Sequence, residues 1–395
     1  MEHRNFIMFC QQDWDIGIGT SARNLAKEFA KCNQVLYVNM PLDMKSLLSR
    51  FKQPDVKARL RVVLGQEYGL KKVGPTLWVY TPGVLSLSIN WLSSRWLFTI
   101  LNRFNSYLLA RSIRKVAHAI GFDNFILFQD GLIFQGLELK HLLKPSRFVY
   151  YLRDNMVTVP YFQRHGPYVE EGLFKNADVV VANSAYLNDY ASQTNPNSFD
   201  IGQGCITAEL LPDSQTAIPS DMAAIPGFRI GYTGFLTDLR LDINLLLAIA
   251  RYRSDWSLVL VGPEDRAFMQ SALHKLTNVH FLGIKQPTQL SSYIAHFDVC
   301  INPQVVNPMT IGNYPLKIDE YLVMGKPVVA THTRTMEMFQ PHVYLATSEE
   351  SWIELINKSL ANRDYEAEKA RINFSRTHTW QASVEKLYAA LSNVE

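Results

Sequence analysis

Asp15-Ile-Gly17-Ile-Gly19-Thr-Ser21-Ala22 lies between an apolar run and a helical pattern, and its residue types suit phosphate chemistry. Glycines let backbone amides approach a phosphate closely, and a helix start adds partial positive charge. Gly17, Gly19 and Ala22 match the spacing of a dinucleotide-binding loop. The first glycine, however, follows the apolar run by seven residues, too far for the usual tight turn. Asn39 and Met40 stand where that chemistry needs an acid. A nicotinamide site is therefore disfavoured, which leaves a loop lining a cleft or a plain turn. Asp13-Trp14-Asp15 has the spacing of paired metal carboxylates. No further oxygen ligand follows in sequence, so the pair reads as loop and helix-entry chemistry.

A second group lies in the carboxyl-terminal half. Ile230-Gly231-Tyr232-Thr233-Gly234 reads as a buried strand entering a Gly turn, followed by Arg240 and a helix from Asp242. Asn302-Pro303 closes another strand. The run Ile311 to Val329 then places a loop with free amides, around Gly312, Asn313, Tyr314 and Leu316, before a short helix. That helix bears Lys317 and Glu320, ends at Gly325 and feeds a strand beginning Lys326-Pro327. His332 and Glu337 fall near the carboxyl end of this last strand. Asp130 and Asp154 close two strands of the first half, a position that faces ligand in parallel sheets.

The elements that must position these residues are short continuous apolar runs. They are Phe6–Cys10, Val35–Asn39, Leu77–Thr81, Phe125–Gln129, Phe148–Leu152 and Val179–Asn183, then Arg229–Thr233, Leu258–Gly262, Val279–Gly283, Val299–Asn302, Pro327–Thr331 and Val343–Ala346. Unbroken runs are what strands buried on both faces look like. Helical patterns alternate with them, as in Ser21–Cys32 and Asp242–Arg253. Alternation of this kind predicts an α/β chain with two doubly wound, Rossmann-like halves. Cys205–Phe228, with Pro212, Pro219 and Pro226, reads as a linker. The expected division is 1–210, a linker over 211–228, a second domain over 229–375, and a helix over 376–395 that packs back on the first domain.

Composition narrows the function. Hydrophobic residues make up 47% and charged residues 19%, so a disordered chain is excluded. The four scattered cysteines form no CxxC pair, which speaks for reduced thiols rather than a disulfide or zinc module. Met1 to Asn5 leads into only a short apolar stretch, so neither a signal peptide nor a membrane span is expected. Net charge is +3, yet residues 1–120 hold 17 Lys and Arg against 7 Asp and Glu. That basic half is either a solvated surface or a face for an anionic partner. The stretch from Trp91 through Trp96, Phe104 and Tyr107 to Lys115 reads either as a core helix or as an amphipathic helix on an anionic membrane.

The segment Ile230 to Val329 resembles the donor domain of family 4 glycosyltransferases of GT-B architecture, most of all bacterial enzymes of surface-polysaccharide assembly. The match rests on Asn278-Val-His-Phe-Leu-Gly283, Phe297-Asp298-Val299 and the block Pro315 to Val329. Ala177 to Ser184 and the Gly17/Gly19 loop extend it more loosely into the first half. The resemblance implies two facing Rossmann-like domains with a cleft between them. It implies a retaining, metal-independent transfer of sugar from a nucleotide-sugar to a growing, lipid-linked glycan. By resemblance Glu320 holds the ribose hydroxyls, Arg240 neutralises the diphosphate, and Gly234, Asn313, Tyr314 and Leu316 line the donor. Lys317 either replaces a lost positive charge or makes a structural salt bridge. Two departures stand out: Gly312 takes the place of the family's first motif glutamate, and Phe235 that of a basic residue. A non-catalytic nucleotide-sugar-binding homologue is thus an alternative, and a Rossmann oxidoreductase a remote one. Gly17, Gly19, Asp130 and Asp154 are expected on the acceptor side. No cofactor is implied, the nucleotide-sugar (UDP or GDP form) being substrate. Expected partners are that donor, the glycan acceptor and an anionic membrane surface, with no nucleic acid. The expected location is the cytoplasm, peripheral to the membrane.

Overall fold

The computed structural model describes residues 2–15, 20–205, 217–361 and 364–394. Gly17 and Gly19, and residues 211–216 of the expected linker, lie outside the described residues. The chain forms two compact units, Met1–Gly202 together with Ser383–Glu395, and Gln203–Ala382.

The first unit contains β1 (Asn5–Cys10), β2 (Gln34–Val38), β3 (Leu42–Asp43), β4 (Leu70–Gly74) and β5 (Leu77–Tyr80). It continues with β6 (Leu85–Ser86), β7 (Ile126–Asp130), β8 (Arg147–Leu152), β9 (Val179–Ala182) and β10 (Ser198–Asp200). Eight of these form one sheet in the order β10-β9-β8-β7-β1-β2-β5-β4, and β3 pairs with β6. Neighbours in the large sheet run parallel except β4 and β5. Phe6 to Cys10 are wholly buried because helices cover both faces, which is why the strand reads as one apolar run. Edge strand β4 exposes Lys71 and Lys72, so it carries no such run and escapes a reading of the sequence. Tyr388, on the helix Trp380–Ser392, lies 6.1 Å from the Phe29 ring and accepts from Asn33 Nδ2 at 2.8 Å.

The second unit contains β11 (Phe228–Thr233), β12 (Trp256–Val261), β13 (Val279–Gly283), β14 (Val299–Asn302), β15 (Val328–Thr331) and β16 (Tyr344–Ala346). Its sheet is wholly parallel, in the order β13-β12-β11-β14-β15-β16. Leu246, Trp256 and Leu258 pack on one face, and Cys300, Tyr321 and Val328 on the other. Strand order reverses between β1 and β7 in the first sheet and between β11 and β14 in the second. Such switch points open a crevice at the carboxyl ends of the strands, where ligands bind.

Helix starts are fixed locally. Thr20 caps Ser21–Phe29 by accepting from the Arg23 amide, and Asp242 caps Ile243–Tyr252 by accepting from the Asn244 and Leu245 amides. Each cap is worth about 1 kcal/mol. No helix among the described residues is long and apolar enough to cross a membrane.

Candidate active site

The switch point of the second unit gathers most of the carboxyl-half candidates. β11 ends in Thr233 and then Gly234, whose φ of 135° suits only glycine. A Cβ on Gly234 would stand 3.1 Å from both Lys317 Nζ and Tyr232 Oη, so this turn presses against the Lys317 side chain. From β12, Gly262 crowds the same turn: a Cβ there would meet the Gly234 carbonyl oxygen at 1.9 Å.

The helix Leu316–Val323 starts after Pro315 with no side-chain cap; the Ile318 amide donates instead to the Pro315 carbonyl at 2.9 Å. Lys317 and Glu320, three residues apart, share a face of it. The Lys317 ammonium donates to Tyr232 Oη and sits 4.1 Å from the centre of that ring. Tyr321 Oη accepts from the Thr233 amide at 2.9 Å, which fixes the helix against the end of β11. Half-buried Glu320 has no hydrogen-bond partner among the described residues. Burial pushes its carboxyl up, the Lys317 charge opposes this, and Asp319 adds to it. A hydroxyl-bearing ligand that donates to this carboxylate would relieve that cost.

Neighbouring Asp319 does different work. It is fully buried, accepts from Tyr314 Oη at 2.6 Å, and pairs with His378 Nδ1 at 2.7 Å. Tyr314 therefore turns its ring into the core against Phe339. Asn313 and Gly312 are buried as well. Thr310 and Gln304 brace the approach to this loop, Gln304 Nε2 donating to the Thr310 carbonyl at 2.8 Å.

Arg240 ends the turn that follows Gly234. Its carbonyl accepts from the Val305 amide at 2.9 Å, which joins this turn to the loop after β14. The guanidinium is exposed and has no ion-pair partner among the described residues. Phe235 beside it is exposed too. Buried Asn302, at the end of β14, has an Nδ2 group with no partner. His332 and Glu337 lie 3.2 Å apart on the surface after β15, paired with each other. Sequence reasoning assigned no role to Tyr232, Asp319, Tyr321 or His378, because each has a partner 59 to 88 residues away along the chain.

In the first unit Asp130 is sealed in. It is fully buried and pairs with Arg153 Nε at 2.5 Å. Burial pushes its carboxyl up, and the Arg153 guanidinium opposes the shift. Removing one partner of such a pair costs about 3–5 kcal/mol, so Asp130 is a structural anchor for Arg153. Half-buried Asp154 lies beside this pair. Asp13 pairs with Arg59 and accepts from the Met40 amide at 3.1 Å, so it ties the loop after β1 to the end of β2. A recess of about 200 Å³ opens over the carboxyl ends of β1, β2 and β7. Gln11, Asn90, Gln135 and Arg59 line it with polar groups, and Tyr161 and Phe162 with rings.

Two Rossmann-like halves of this topology are the GT-B fold of glycosyltransferases. Sucrose-phosphate synthase from Thermosynechococcus elongatus superposes with a TM-score of 0.70 at 15% identity, covering all of both chains. HepE from Anabaena in complex with UDP superposes with a TM-score of 0.67 at 16% identity, again over all of both chains. Residues 228–362, which contain Gly234, Arg240, Lys317 and Glu320, match the family described as glycosyl transferases group 1. The second unit thus contains the whole segment that is similar to this family. A Bacillus subtilis (strain 168) protein named as a teichuronic acid biosynthesis glycosyltransferase, TuaH, is 31% identical over 163 residues. That alignment covers 39% of this chain and 40% of the relative, so the chain spans about two fifths of the curated relative it matches.

Proposed function

We propose that this chain is a glycosyltransferase of polysaccharide biosynthesis that moves a sugar from a nucleotide-sugar to a lipid-linked glycan, with retention at the anomeric carbon. The observation that carries the reading is the placement of Lys317 against the Gly234 turn, one helical turn from the unpartnered Glu320, inside the segment similar to that family. HepE has been crystallised with UDP and with UDP-glucose, which makes UDP the first nucleotide to test.

In this reading the ribose hydroxyls donate to Glu320, and charged hydrogen bonds of this kind are worth about 1.5–3 kcal/mol each. As the glycosidic bond to the diphosphate breaks, negative charge grows on the leaving phosphate oxygens. Arg240, Lys317 and the amides at the Leu316 helix start supply positive charge there, already oriented before the reaction. The acceptor glycan occupies the recess of the first unit, where amide side chains and rings suit sugar hydroxyls and the apolar faces of sugar rings. Gly312 leaves the donor sugar without the contact a glutamate would make.

Glu320→Ala is expected to weaken UDP binding tenfold or more in calorimetry, with GDP titrated alongside. Unchanged affinity in a folded variant would remove Glu320 from the site. Transfer or hydrolysis measured with a panel of nucleotide-sugars tests the reaction itself; binding without any turnover would favour the non-catalytic homologue.

We also propose that the helix Arg95–Ala119 rests on an anionic membrane surface. Phe98, Leu109 and Ile113 face the core, which answers only half of the aromatic content. Trp96 is 73% exposed, and Ile100, Phe104 and Tyr107 share its outward face. Arg103 pairs with Glu138, Arg114 donates to the Leu142 carbonyl, and Arg95 stacks over Tyr168. Exposed Arg111 and Lys115 have no such partner among the described residues. Sedimentation with phosphatidylglycerol vesicles is expected at low salt and lost at high salt, since screening acts within about 8–10 Å at physiological ionic strength. Arg111→Glu with Lys115→Glu should abolish it and leave UDP affinity unchanged. A wild-type protein that stays in the supernatant at low salt would end the membrane proposal.

A further inference from the structure

We propose that the first unit holds a second ligand site, for a soluble phosphate-bearing anion, at the amino-terminal edge of its sheet. A cavity of about 370 Å³ opens there, at the edge opposite the switch point, where β1, β7 and β8 begin. His3, Arg4 and Arg147 contribute basic groups to its wall, Asn124 and Ser146 add polar groups, and among the described residues no carboxylate lines it. Neither guanidinium has an ion-pair partner among the described residues. Arg147 is half-buried and gives one hydrogen bond, to the Ser146 carbonyl at 3.3 Å. Two cations left unneutralised in one concave wall repel each other, and that cost is recovered when an anion arrives. A guanidinium fork takes two oxygens at a time, and a phosphate group, unlike a halide or a single carboxylate, has oxygens enough to meet more than one fork.

The backbone is shaped around the same cavity. His3 and Lys144 are the non-glycine residues with positive φ among the described residues, at 56° and 53°. Left-handed backbone is uncommon outside glycine and persists where surrounding bonds impose it. The His3 amide donates to the Cys32 carbonyl at 2.9 Å and the Arg4 amide to Asn33 Oδ1 at 3.0 Å, which holds the start of the chain at this edge. Lys144 ends the helix Leu139–Leu143 and leads through Pro145 into Ser146 and Arg147. Both departures from ordinary backbone thus deliver a basic segment to one wall. The site is independent of the donor reading, since every residue in it belongs to the first unit.

The test is calorimetry of the full chain with inorganic pyrophosphate at constant ionic strength. Three proteins are compared: wild type, Arg4→Ala with Arg147→Ala, and Arg240→Ala with Lys317→Ala. The proposal expects a binding event that survives the second pair of substitutions and weakens at least tenfold with the first. Arg4 and Arg147 make no bond that the fold depends on, and equal melting temperatures without ligand would verify this. Absence of binding to the wild type, or binding lost only when Arg240 and Lys317 are replaced, would overturn the site. Loss of phosphatidylglycerol vesicle sedimentation in the Arg4/Arg147 variant, without loss of pyrophosphate binding, would also overturn it, because the wall would then serve a lipid headgroup.

Discussion

Replacing Lys317 by Ala is expected to lower turnover about a hundredfold while changing donor affinity much less. The ammonium stands against the Gly234 turn at the end of β11, on the first turn of the Leu316–Val323 helix. Charge on a leaving diphosphate is greatest in the transition state, so a cation placed there acts more on the rate than on binding. A contact worth about 2.7 kcal/mol corresponds to a hundredfold in rate. Arg240→Ala should behave the same way, without loss of stability, because the exposed guanidinium makes no ion pair among the described residues. Lys317 also donates to Tyr232 Oη, and this is its structural alternative. Tyr232→Phe separates the two roles: it removes the hydroxyl and keeps the ring. Turnover near that of the wild type in Tyr232→Phe, together with a hundredfold fall in Lys317→Ala, supports the catalytic role. Normal turnover in Lys317→Ala would show that the phosphate binds elsewhere.

Glu170 should make the first unit lose stability as pH rises toward neutrality. It is fully buried on the helix Gly166–Asn176, with Tyr190 Oη donating to one carboxylate oxygen at 2.9 Å. The other oxygen has no partner. Burial pushes the carboxyl from its ordinary 4.5 up to about 7, against the opposing bond from Tyr190. Between those two values the folded chain keeps a proton that the unfolded chain has released. Stability from this group is therefore complete below about pH 4.5 and falls as pH rises through 7, by on the order of 3 kcal/mol. Glu170→Gln keeps the shape without the titration. Urea unfolding at pH 5, 6, 7 and 8 should show the wild type falling relative to the variant across that range. Parallel stability curves would mean that Glu170 stays ionised in the folded chain.

The strands around both candidate regions are legible in the sequence because strands covered on both faces carry no alternation. Phe6–Cys10 and Val299–Asn302 can hardly be read as anything else. The same holds for Asp242 as a helix start, since a capping oxygen bonds amides only two or three residues away. Glu320 and Lys317 are singled out by the resemblance of the block Pro315 to Val329, since charge alone does not separate them from Asp319 on the same helix. Topology had to supply what lies far apart in the chain. Tyr232 meets Lys317 across 85 residues, and Asp319 meets His378 across 59, which turns Tyr314 inward. Asp130 looks like a cleft carboxylate from its place at a strand end, yet Arg153 claims it. The outward turn of Trp96 and Phe104 depends on which side of a 25-residue helix meets the sheet. Short-range bonding and hydrophobic periodicity are written locally, whereas the partner of a buried charge is settled only when distant segments pack.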